Sequence, residues 1–576
     1  MKNIFRQIKA REYIWLVIAL VLIACQARLD LLFPEYIKNI TLLLQNNNTP
    51  FSAIVPLCLA MLACAGANLL CGVGSVYFTA KLASIIAKRL RTRTFDKVID
   101  FSLKEVNEFT VPSLLTRCTL DITQIQMFIS MLPMIIIRAP LTGILAVINL
   151  SKQNYIWTGV IASIVLIIII FVIFLITSLT PRMKIVNKLT DKLNQVSFEH
   201  ISGIRVIHAY NAYDYQAKRF NDVNAPLTDT NIYVNSRMSA MYPVLTFFQS
   251  IPGIIIYVTG AYMIMSLADS SAKLALFSDM LVAFFYSGIV INAFMIITLM
   301  LIQLPRLLVC SGRVNEVINS PVSIQDGNYS GEIAKSGTIE FNHVSFKYPG
   351  AGANSLDDIS FSVSRGQTVA FIGPTGCGKS SLLNLIPRLY DASEGRILVD
   401  GVDVKDFNLA DLRSRIGYVP QKNILFTGTI ADNINFSGNN NNLERASEIA
   451  QAKDFIEARP DSYNSQVEHG GGNFSGGQRQ RLTIARAVSK SAEIYLFDDS
   501  FSALDLVTDK KLRQALREEF QDATILIAAQ RISTIINADK IIVIDKGRIV
   551  GEGTHSELMQ SCPLYQEIAK SQTGQD

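Results

Sequence analysis

Six long apolar stretches constrain the fold of this 576-residue chain more than any other feature. A helix of about 20 apolar residues crosses the hydrocarbon core of a bilayer. The stretches lie near residues 13–34, 53–78, 125–150, 155–179, 241–265 and 274–302. A mean hydropathy of +0.29 is too apolar for an ordinary soluble protein, and the chain is too long for a single core. We therefore expect a membrane protein with six spanning helices and a soluble part.

The placement of basic residues predicts the orientation of these spans. Lysine and arginine cluster in three segments, which the positive-inside rule assigns to the cytoplasm. They are Lys2, Arg6, Lys9 and Arg11 before the first span, Lys81, Lys88, Arg89, Arg91, Arg93 and Lys97 after the second, and Arg182, Lys184, Lys188, Lys192 and Arg205 after the fourth. No cleavable signal peptide is evident. We predict a multi-pass protein of the plasma (inner) membrane with both termini in the cytoplasm.

The chain is expected to divide into a membrane domain, a linker and a soluble domain. The loops at 79–124 and 180–240 are predicted as charged helical extensions of the membrane helices. Residues 319–337 are rich in Ser, Gly and Pro, which is typical of a domain boundary. The predicted domains are therefore 1–318 and 338–576.

The eight scattered cysteines indicate neither a metal site nor a disulfide framework, and a net charge of +5 argues against nucleic-acid binding.

The soluble part contains a phosphate-binding pattern between a predicted strand and a predicted helix. Its residues fit GxxxxGK[ST] and are Gly373, Pro374, Thr375, Gly376, Cys377, Gly378, Lys379 and Ser380, followed by Ser381. Backbone N–H groups of such a loop surround phosphate oxygens, Lys379 reaches the outer phosphates, and Ser380 offers a hydroxyl to Mg²⁺. We interpret Cys377 as a small packing residue, with thiol modification as the alternative.

A second acidic feature lies about 120 residues further along, in the stretch IYLFDDSFSALD. An apolar strand ending in a carboxylate at this distance predicts Mg²⁺ coordination by Asp498. Asp499, the next residue, is where a general base would position the attacking water. Without the phosphate loop, the same stretch would indicate only a buried strand with an acidic end.

Several further motifs, in order, resemble those of ABC transporters. Residues 338–570 resemble the nucleotide-binding domain, and nearly the whole chain resembles an ABC exporter half-transporter. The matching residues are Tyr348 as the aromatic that stacks on adenine, Gln421 in YVPQ as the Q-loop, Phe474, Ser475, Gly476, Gly477 and Gln478 as the signature, and Ser502 to Asp505 as the D-loop. The resemblance implies six transmembrane helices followed by an α/β P-loop ATPase domain. It also implies ATP, Mg²⁺ held by Ser380, Gln421 and Asp498, and coupling helices near 113–122 and 207–217.

Two residues depart from the family pattern, and they bear on the partner. The usual catalytic glutamate is Asp499 here, and the switch histidine of the H-loop is Gln530. Shortening the carboxylate by one methylene moves it about 1 Å, a displacement that can cost about 100-fold in rate. Gln530 cannot carry the charge of an imidazolium. Together the changes predict a slow, degenerate site in a heterodimer whose partner keeps Glu and His. A slow homodimer that uses Asp499 as the base is the alternative.

The signature supports a dimer, because a second phosphate cradle in one chain must face the ATP of another. The expected activity is ATP-driven export of hydrophobic or amphipathic compounds, as in multidrug exporters. The alternatives are a homodimeric lipid or peptide exporter, an exporter-fold importer of metal chelates, and an ATP-gated regulator or channel.

Polar residues within the spans are candidates for cargo contact, because polar groups at membrane depth are costly unless they face a cavity or a partner. They are Gln26, Arg28, Asp30, Arg138 and Gln249. As alternatives, Arg28 and Asp30 snorkel from near the outer end of the first span, and Arg138 pairs within the bundle.

Overall fold

The computed structural model describes residues 12–44, 50–330, 337–438 and 443–573. The chain forms two compact units. The first, here called the membrane unit, comprises Met1–Ile99 and Pro112–Ser320. The second, the nucleotide-binding unit, comprises Asp100–Val111 and Pro321–Asp576. The first predicted basic cluster, Lys2 to Arg11, lies outside the described residues.

The prediction of six spans is confirmed, since six helical segments of the described chain are long and apolar enough to cross a membrane. Most are much longer than the apolar stretches themselves. The helices up to residue 320 are α1 (Tyr13–Leu44), α2 (Val55–Ile99), α3 (Leu103–Phe109), α4 (Val111–Thr116), α5 (Ile122–Pro133), α6 (Ala139–Gln153), α7 (Tyr155–Ser202), α8 (Ile204–Ala209), α9 (Tyr213–Ser266) and α10 (Ser270–Asn319). Helices α2, α7 and α9 therefore carry the chain through most of the two long loops, as predicted.

Two details of the membrane unit differ from expectation. Helix α1 passes through Pro34 and continues to Leu44, so Arg28 and Asp30 lie near its middle and not near its end. The end of the apolar stretch is therefore not the end of the helix, and the snorkelling of Arg28 and Asp30 stays a prediction. The third span is interrupted by two π-helical segments, Arg117–Asp121 and Met134–Arg138. The second directly follows Pro133, whose missing N–H removes a helical hydrogen bond.

The nucleotide-binding unit is built on a six-stranded sheet in the order β12-β11-β3-β10-β9-β6. The strands β11, β3, β10, β9 and β6 are parallel, and β12 is antiparallel at one edge. A four-stranded antiparallel sheet has the order β2-β1-β4-β5, and β7 pairs with β8. The bounds are β1 (Ile339–Phe346), β2 (Leu356–Val363), β3 (Thr368–Ile372), β4 (Glu394–Val399), β5 (Val402–Asp403), β6 (Ile416–Val419), β7 (Gly428–Thr429), β8 (Gln466–Val467), β9 (Ile494–Asp498), β10 (Thr524–Ala528), β11 (Lys540–Asp545) and β12 (Arg548–Gly553).

Helices pack around the parallel sheet, whose central strands are apolar throughout. Every residue of β9 and β10 is buried, which explains why these strands read as continuous apolar runs instead of alternating ones. The helices are α11 (Lys379–Leu385), α12 (Leu409–Ser414), α13 (Ile430–Ile434), α14 (Leu443–Ile449), α15 (Lys453–Glu457), α16 (Gly476–Val488), α17 (Leu506–Glu519), α18 (Ile532–Ile535), α19 (His555–Ser561) and α20 (Pro563–Thr573). The fold class is as predicted.

The short helix α3 belongs to the nucleotide-binding unit although it lies between two membrane helices in sequence. Ser102 caps α3, and its hydroxyl lies 3.0 Å from that of Ser323. Glu105 accepts a hydrogen bond from the Ser323 backbone at 3.3 Å, and Asn107 donates to Tyr390 at 3.4 Å. The first coupling helix is predicted at 113–122, and α3 lies just before that range in the sequence.

Part of the segment predicted as a linker is also ordered against the nucleotide-binding unit. The backbone N–H of Gly327 donates to Phe407 at 2.9 Å, and that of Tyr329 donates to Asp406 at 2.8 Å. The Arg388 guanidinium, which is buried, donates to the carbonyl of Gln325. Residues 331–336 of the predicted linker lie outside the described residues.

Candidate nucleotide-binding site

Three neighbouring parallel strands bring the predicted site residues to one edge of the sheet. β10 pairs with β3 on one side and β9 on the other, and Ala528 is opposite both Phe371 and Asp498. Because parallel strands end at the same edge, the segments that follow them converge there. The phosphate loop follows β3, Asp499 follows β9, and Gln530 follows β10.

The phosphate loop is a tight turn that only glycine tolerates at two positions. Gly376 and Gly378 have φ of +84° and +107°, and a Cβ at Gly378 would lie 2.7 Å from the carbonyl of Ser355. Lys379 folds back over the loop, where its Nζ donates to the carbonyls of Gly373 at 2.7 Å and Pro374 at 3.1 Å. The loop thus encloses a positive charge among backbone groups.

Ser380 and Asp498 form a direct hydrogen bond, although 118 residues separate them. The Ser380 hydroxyl donates to Asp498 Oδ1 at 2.8 Å, and Asp498 is 4% exposed. Burial raises the pKa of Asp498, the bond from Ser380 lowers it, and the charge of Asp499 raises it further. Hydroxyl and carboxylate oxygens are ligands that Mg²⁺ prefers, and a cation would stabilise this buried, crowded carboxylate. These residues therefore fit a magnesium ion.

The two residues that depart from the family pattern contact each other. Gln530 Nε2 donates to Asp499 Oδ2 at 2.9 Å. Asp499 is half-buried, and burial raises the pKa of its carboxyl while Lys379 and Gln421 lower it. Its φ of +47° lies in the left-handed region, which is uncommon for residues other than glycine and is found at functional sites. One side-chain amide thus holds one oxygen of the carboxylate at the predicted base position.

Gln572, near the end of α20, holds the backbone around Gln530 and was not predicted from the sequence. Its Nε2 donates to the carbonyl of Gln530 at 2.7 Å, and its Oε1 accepts from the N–H of Ile532 at 2.8 Å. The pair of bonds fixes the segment that follows β10. Gln572 lies 42 residues from Gln530 in sequence, so no local pattern could have indicated the contact.

The signature segment is an exposed helix N-terminus with a closed capping box. Ser475 accepts from the N–H of Gln478 at 3.2 Å, and Gln478 accepts from the N–H of Ser475 at 3.1 Å. Phe474 is 4% exposed and packs under the guanidinium of Arg459, 4.0 Å from its ring centroid. Gly476 begins the 13-residue helix α16 at the surface of the unit. Its first N–H groups are thus available to an external ligand.

The remaining predicted residues of the nucleotide site have defined local roles. The hydroxyl of Tyr348 lies 3.0 Å from that of Ser381, and its ring packs edge-on against Tyr390. In the D-loop, Ser502 donates to the carbonyl of Asp499 at 3.0 Å, and Asp505 caps α17.

The cargo candidates separate into two groups. Gln26, Asp30 and Arg138 line one cavity of about 1060 Å³ in the membrane unit, whereas Arg28 and Gln249 are not among its lining residues. A guanidinium N–H of Arg138 donates to Asp30 at 3.2 Å, so the expected pairing of Arg138 within the bundle is confirmed. Asn68 and Asn292 also line this cavity and were not predicted.

Two family models match the chain. The ABC transporter transmembrane region matches residues 16–293, and the ABC transporter model matches residues 356–502. The chain belongs to the ABC transporter family. It has the organisation of an ABC exporter half-transporter, in which one membrane domain is fused to one nucleotide-binding domain. The ABC domain implies ATP binding and an ATPase coupled to transport.

Relatives of this ABC transporter match it over most of their length. An uncharacterized ABC transporter ATP-binding protein of Mycobacterium tuberculosis is 36% identical over 91% of this chain and 90% of its own. The ATP-dependent lipid A-core flippase of Pseudomonas aeruginosa is 31% identical over 86% of this chain and 82% of its own. A solved structure of a bacterial Atm1-family ABC exporter with ATP bound aligns with a TM-score of 0.84 over 97% of this chain and 99% of that one. At 22% identity, this last likeness shows the fold alone.

Proposed function

We propose that this chain is the degenerate-site subunit of a heterodimeric ABC exporter. The hydrogen bond from Gln530 to Asp499 carries the proposal, because it joins the two positions at which the catalytic residues of the family are replaced. The two residues that differ from the family pattern are thus in direct contact, at the position where hydrolysis needs a base. The chain binds ATP at this site and hydrolyses it slowly.

The chemistry of the contact explains why hydrolysis is slow. A base must accept a hydrogen bond from the attacking water and hold it in line with the γ-phosphate. Asp499 reaches less far than a glutamate and gives one oxygen to Gln530. The amide of Gln530 donates hydrogen bonds but has no proton to release near neutral pH. Ser380, Asp498 and Gln421 would hold Mg²⁺, which neutralises phosphate charge when it is bound.

The signature serves the partner's ATP in this proposal. Its helix N-terminus is exposed, its residues are intact, and such a terminus favours phosphate. A partner that keeps the catalytic Glu and switch His supplies the competent site, completed by Ser475 of this chain. The slow site keeps the two nucleotide-binding domains together between turnovers.

The membrane unit moves cargo by alternating access, with both termini in the cytoplasm. Helix α3 packs within the nucleotide-binding unit and is joined by the chain to membrane helices on either side, so we assign it a coupling role. The names of a lipid A-core flippase and of an Atm1-family exporter among the similar proteins favour an export direction. We infer a hydrophobic or amphipathic cargo.

One observation favours a slow homodimer as the second candidate. A raised pKa brings the carboxyl of Asp499 closer to the range in which a general base is most effective. In that case two copies of this chain would each hydrolyse ATP with Asp499.

Steady-state ATPase activity separates the two candidates. The full chain is purified alone and together with a candidate partner half-transporter that has the catalytic Glu and switch His. Our proposal predicts negligible activity alone and strong activity together. Robust activity of the chain alone, abolished in Asp499→Asn, would establish the homodimer and refute the heterodimer.

A further inference from the structure

The cavity in the membrane unit has the size and chemistry of a small-molecule site. Its walls come from α1, α2, the Met134–Arg138 segment with α6, and α10. About 1060 Å³ lies at the upper end of the range for ligand pockets. Most of the lining is apolar, and Arg138 ends a π-helical segment, a feature that is frequent at functional sites.

The charged groups of the cavity are already paired with each other. Asn68 donates to one oxygen of Asp30 at 2.5 Å, and Arg138 donates to the other at 3.2 Å. Among the lining residues that the structure describes, Asp30 and Arg138 are the only charged ones, so their formal charges cancel. A ligand with a net charge would have to break this pair or remain unpaired, and both are costly away from water.

Gln26 is a buried polar side chain that faces the cavity without a partner. It is 8% exposed, and its carboxamide makes no hydrogen bond within the described parts of the chain, residues 12–44, 50–330, 337–438 and 443–573. A Cβ on Gly72 would lie 3.0 Å from its Nε2, so the amide packs directly against the bare backbone of α2. The amide is open to the cavity, so a ligand there can donate to its oxygen and accept from its nitrogen.

Asn292 on α10 supplies a second carboxamide to the same cavity. Its side chain is exposed and, like that of Gln26, offers a donor and an acceptor together. The polar part of the cavity therefore suits a group that both donates and accepts hydrogen bonds. The apolar part includes Phe33, Val73, Phe285 and Ile289, which suit a hydrocarbon body.

We propose that this cavity binds an amphipathic compound whose polar end has no net charge and carries amide or hydroxyl groups. Gln26 and Asn292 bond to that end, and the Asp30–Arg138 pair selects against charged compounds. The assignment rests on the proposed transport function, because it identifies the class of cargo that such an exporter would bind.

Equilibrium binding tests this assignment without requiring ATP hydrolysis. The full chain with its partner, in lipid nanodiscs and without nucleotide, is titrated with three radiolabelled probes that share a ten-carbon chain. They are N-decanoylglycinamide, which is uncharged, decanoate and decyltrimethylammonium. We expect saturable binding of the uncharged probe, at least tenfold tighter than binding of either charged one. Tighter binding of a charged probe to the wild type would overturn the proposal.

Matched variants separate the cavity from general partition into lipid. Gln26→Leu should weaken binding of the uncharged probe about fivefold, as expected for one lost hydrogen bond. Gln303→Leu makes the same change at an exposed position of α10 outside the cavity lining and should have no effect. Equal effects of the two variants, or no saturable binding above that of empty nanodiscs, would refute the site.

Charge variants test the selectivity directly. Asp30→Asn leaves a net positive cavity and should shift the preference to decanoate, and Arg138→Gln should shift it to decyltrimethylammonium. Because a single unpaired charge can prevent folding, the double variant, which has no charge to bury, is measured in parallel and should prefer the uncharged probe again. Unchanged preferences in folded variants would contradict the assignment. Intact binding with failed partner-dependent ATPase would refute the proposed heterodimer alone.

Discussion

The nucleotide-binding unit presents two surfaces to ATP, and they differ in how far they keep the family pattern. On the signature surface, Ser475 and Gln478 close a capping box, Gly476 and Gly477 follow it, and the helix N-terminus is exposed. On the phosphate-loop surface, the residues that we assign to phosphate and Mg²⁺ fit the family pattern, but Asp499 and Gln530 replace the family's catalytic Glu and switch His. In our proposal, the binding residues are kept on both surfaces, and only the hydrolytic ones are changed.

The two surfaces have different tasks, and the second task is chemically more demanding. The signature has only to offer N–H groups and a helix dipole to a phosphate. The phosphate-loop surface must also place a base within hydrogen-bonding distance of a water molecule. We propose that the bond from Gln530 to Asp499 leaves phosphate binding unchanged and impairs the positioning of water. In our proposal, one chain therefore lends a working surface to its partner and keeps a slow one.

Removing the signature hydroxyl should have the largest effect. We expect Ser475→Ala to lower the ATPase activity of the assembled transporter about 1000-fold, because a donor aimed at transferring phosphate is lost. Thr554→Ala removes an equivalent capping box from α19 and should leave activity unchanged. If both variants lose activity equally, the loss comes from removing a helix cap and not from the signature hydroxyl. Such a result would contradict a role for Ser475 in the partner's site.

Restoring the family residues should make the two surfaces alike. We expect Asp499→Glu with Gln530→His to raise the ATPase activity of the chain purified alone about 100-fold, because the carboxylate regains about 1 Å of reach. Each single change should give much less, since the two side chains are in contact. Additive single effects would show that the contact does not matter. An unchanged double variant would show that the slow step lies elsewhere.

Removing the charge of Asp499 should stabilise the folded protein, because this carboxylate is partly buried on the phosphate-loop surface. Burial raises the pKa of both Asp498 and Asp499 above the ordinary 3.8, so protonation favours the folded state. The destabilising effect of each carboxylate is therefore present above its folded-state pKa and is lost as pH falls through that value. We expect Asp499→Asn to raise the Tm of the nucleotide-free protein at pH 7, and the rise to shrink as pH falls toward 4. Asp522→Asn, at an exposed carboxyl, should show neither effect. A rise that grows on acidification would contradict the raised pKa.

The smallest expected effect concerns the support of Gln530. Gln572→Ala removes two hydrogen bonds to the segment after β10, and we expect a loss of about 1 kcal/mol in local stability. Faster hydrogen exchange at the N–H of Ile532 measures it. Gln566→Ala, also on α20, removes a bond to the carbonyl of Met559 on α19 and serves as the control. Protection of Ile532 that survives in Gln572→Ala would show that other contacts hold this segment.

Much of the fold followed from the sequence, because length and apolarity alone identify spanning helices and buried strands. Helix ends did not follow, since α1 continues through Pro34 for ten residues after its apolar stretch. The position of α3 was missed although a signal was present. Ser102 and Glu105 fit the S-x-x-E pattern of a capping box, which marks a helix start, and both hydrogen bonds of the box are present in the structure.

The candidate site was predictable where function fixes local spacing, as in the phosphate loop. Contacts made by tertiary packing were not. The bond from Gln572 to Gln530 joins segments 42 residues apart, and Asn68 meets Asp30 through the packing of α2 on α1. Neither Gln572 nor Asn68 belongs to a sequence motif, so only the three-dimensional arrangement reveals these contacts. The departures at Asp499 and Gln530 were visible in the sequence, but their direct contact was not.

Identifying the nucleotide at each site during turnover tests the central claim most directly. The assembled transporter is incubated with Mg²⁺ and photoreactive 8-azido-ATP labelled at the α-phosphate, trapped with vanadate, irradiated, and separated into its two chains. We predict that the label on this chain is triphosphate and the label on the partner is diphosphate. Diphosphate trapped on this chain as fully as on its partner would mean that Asp499 works as a base and that the site is not degenerate.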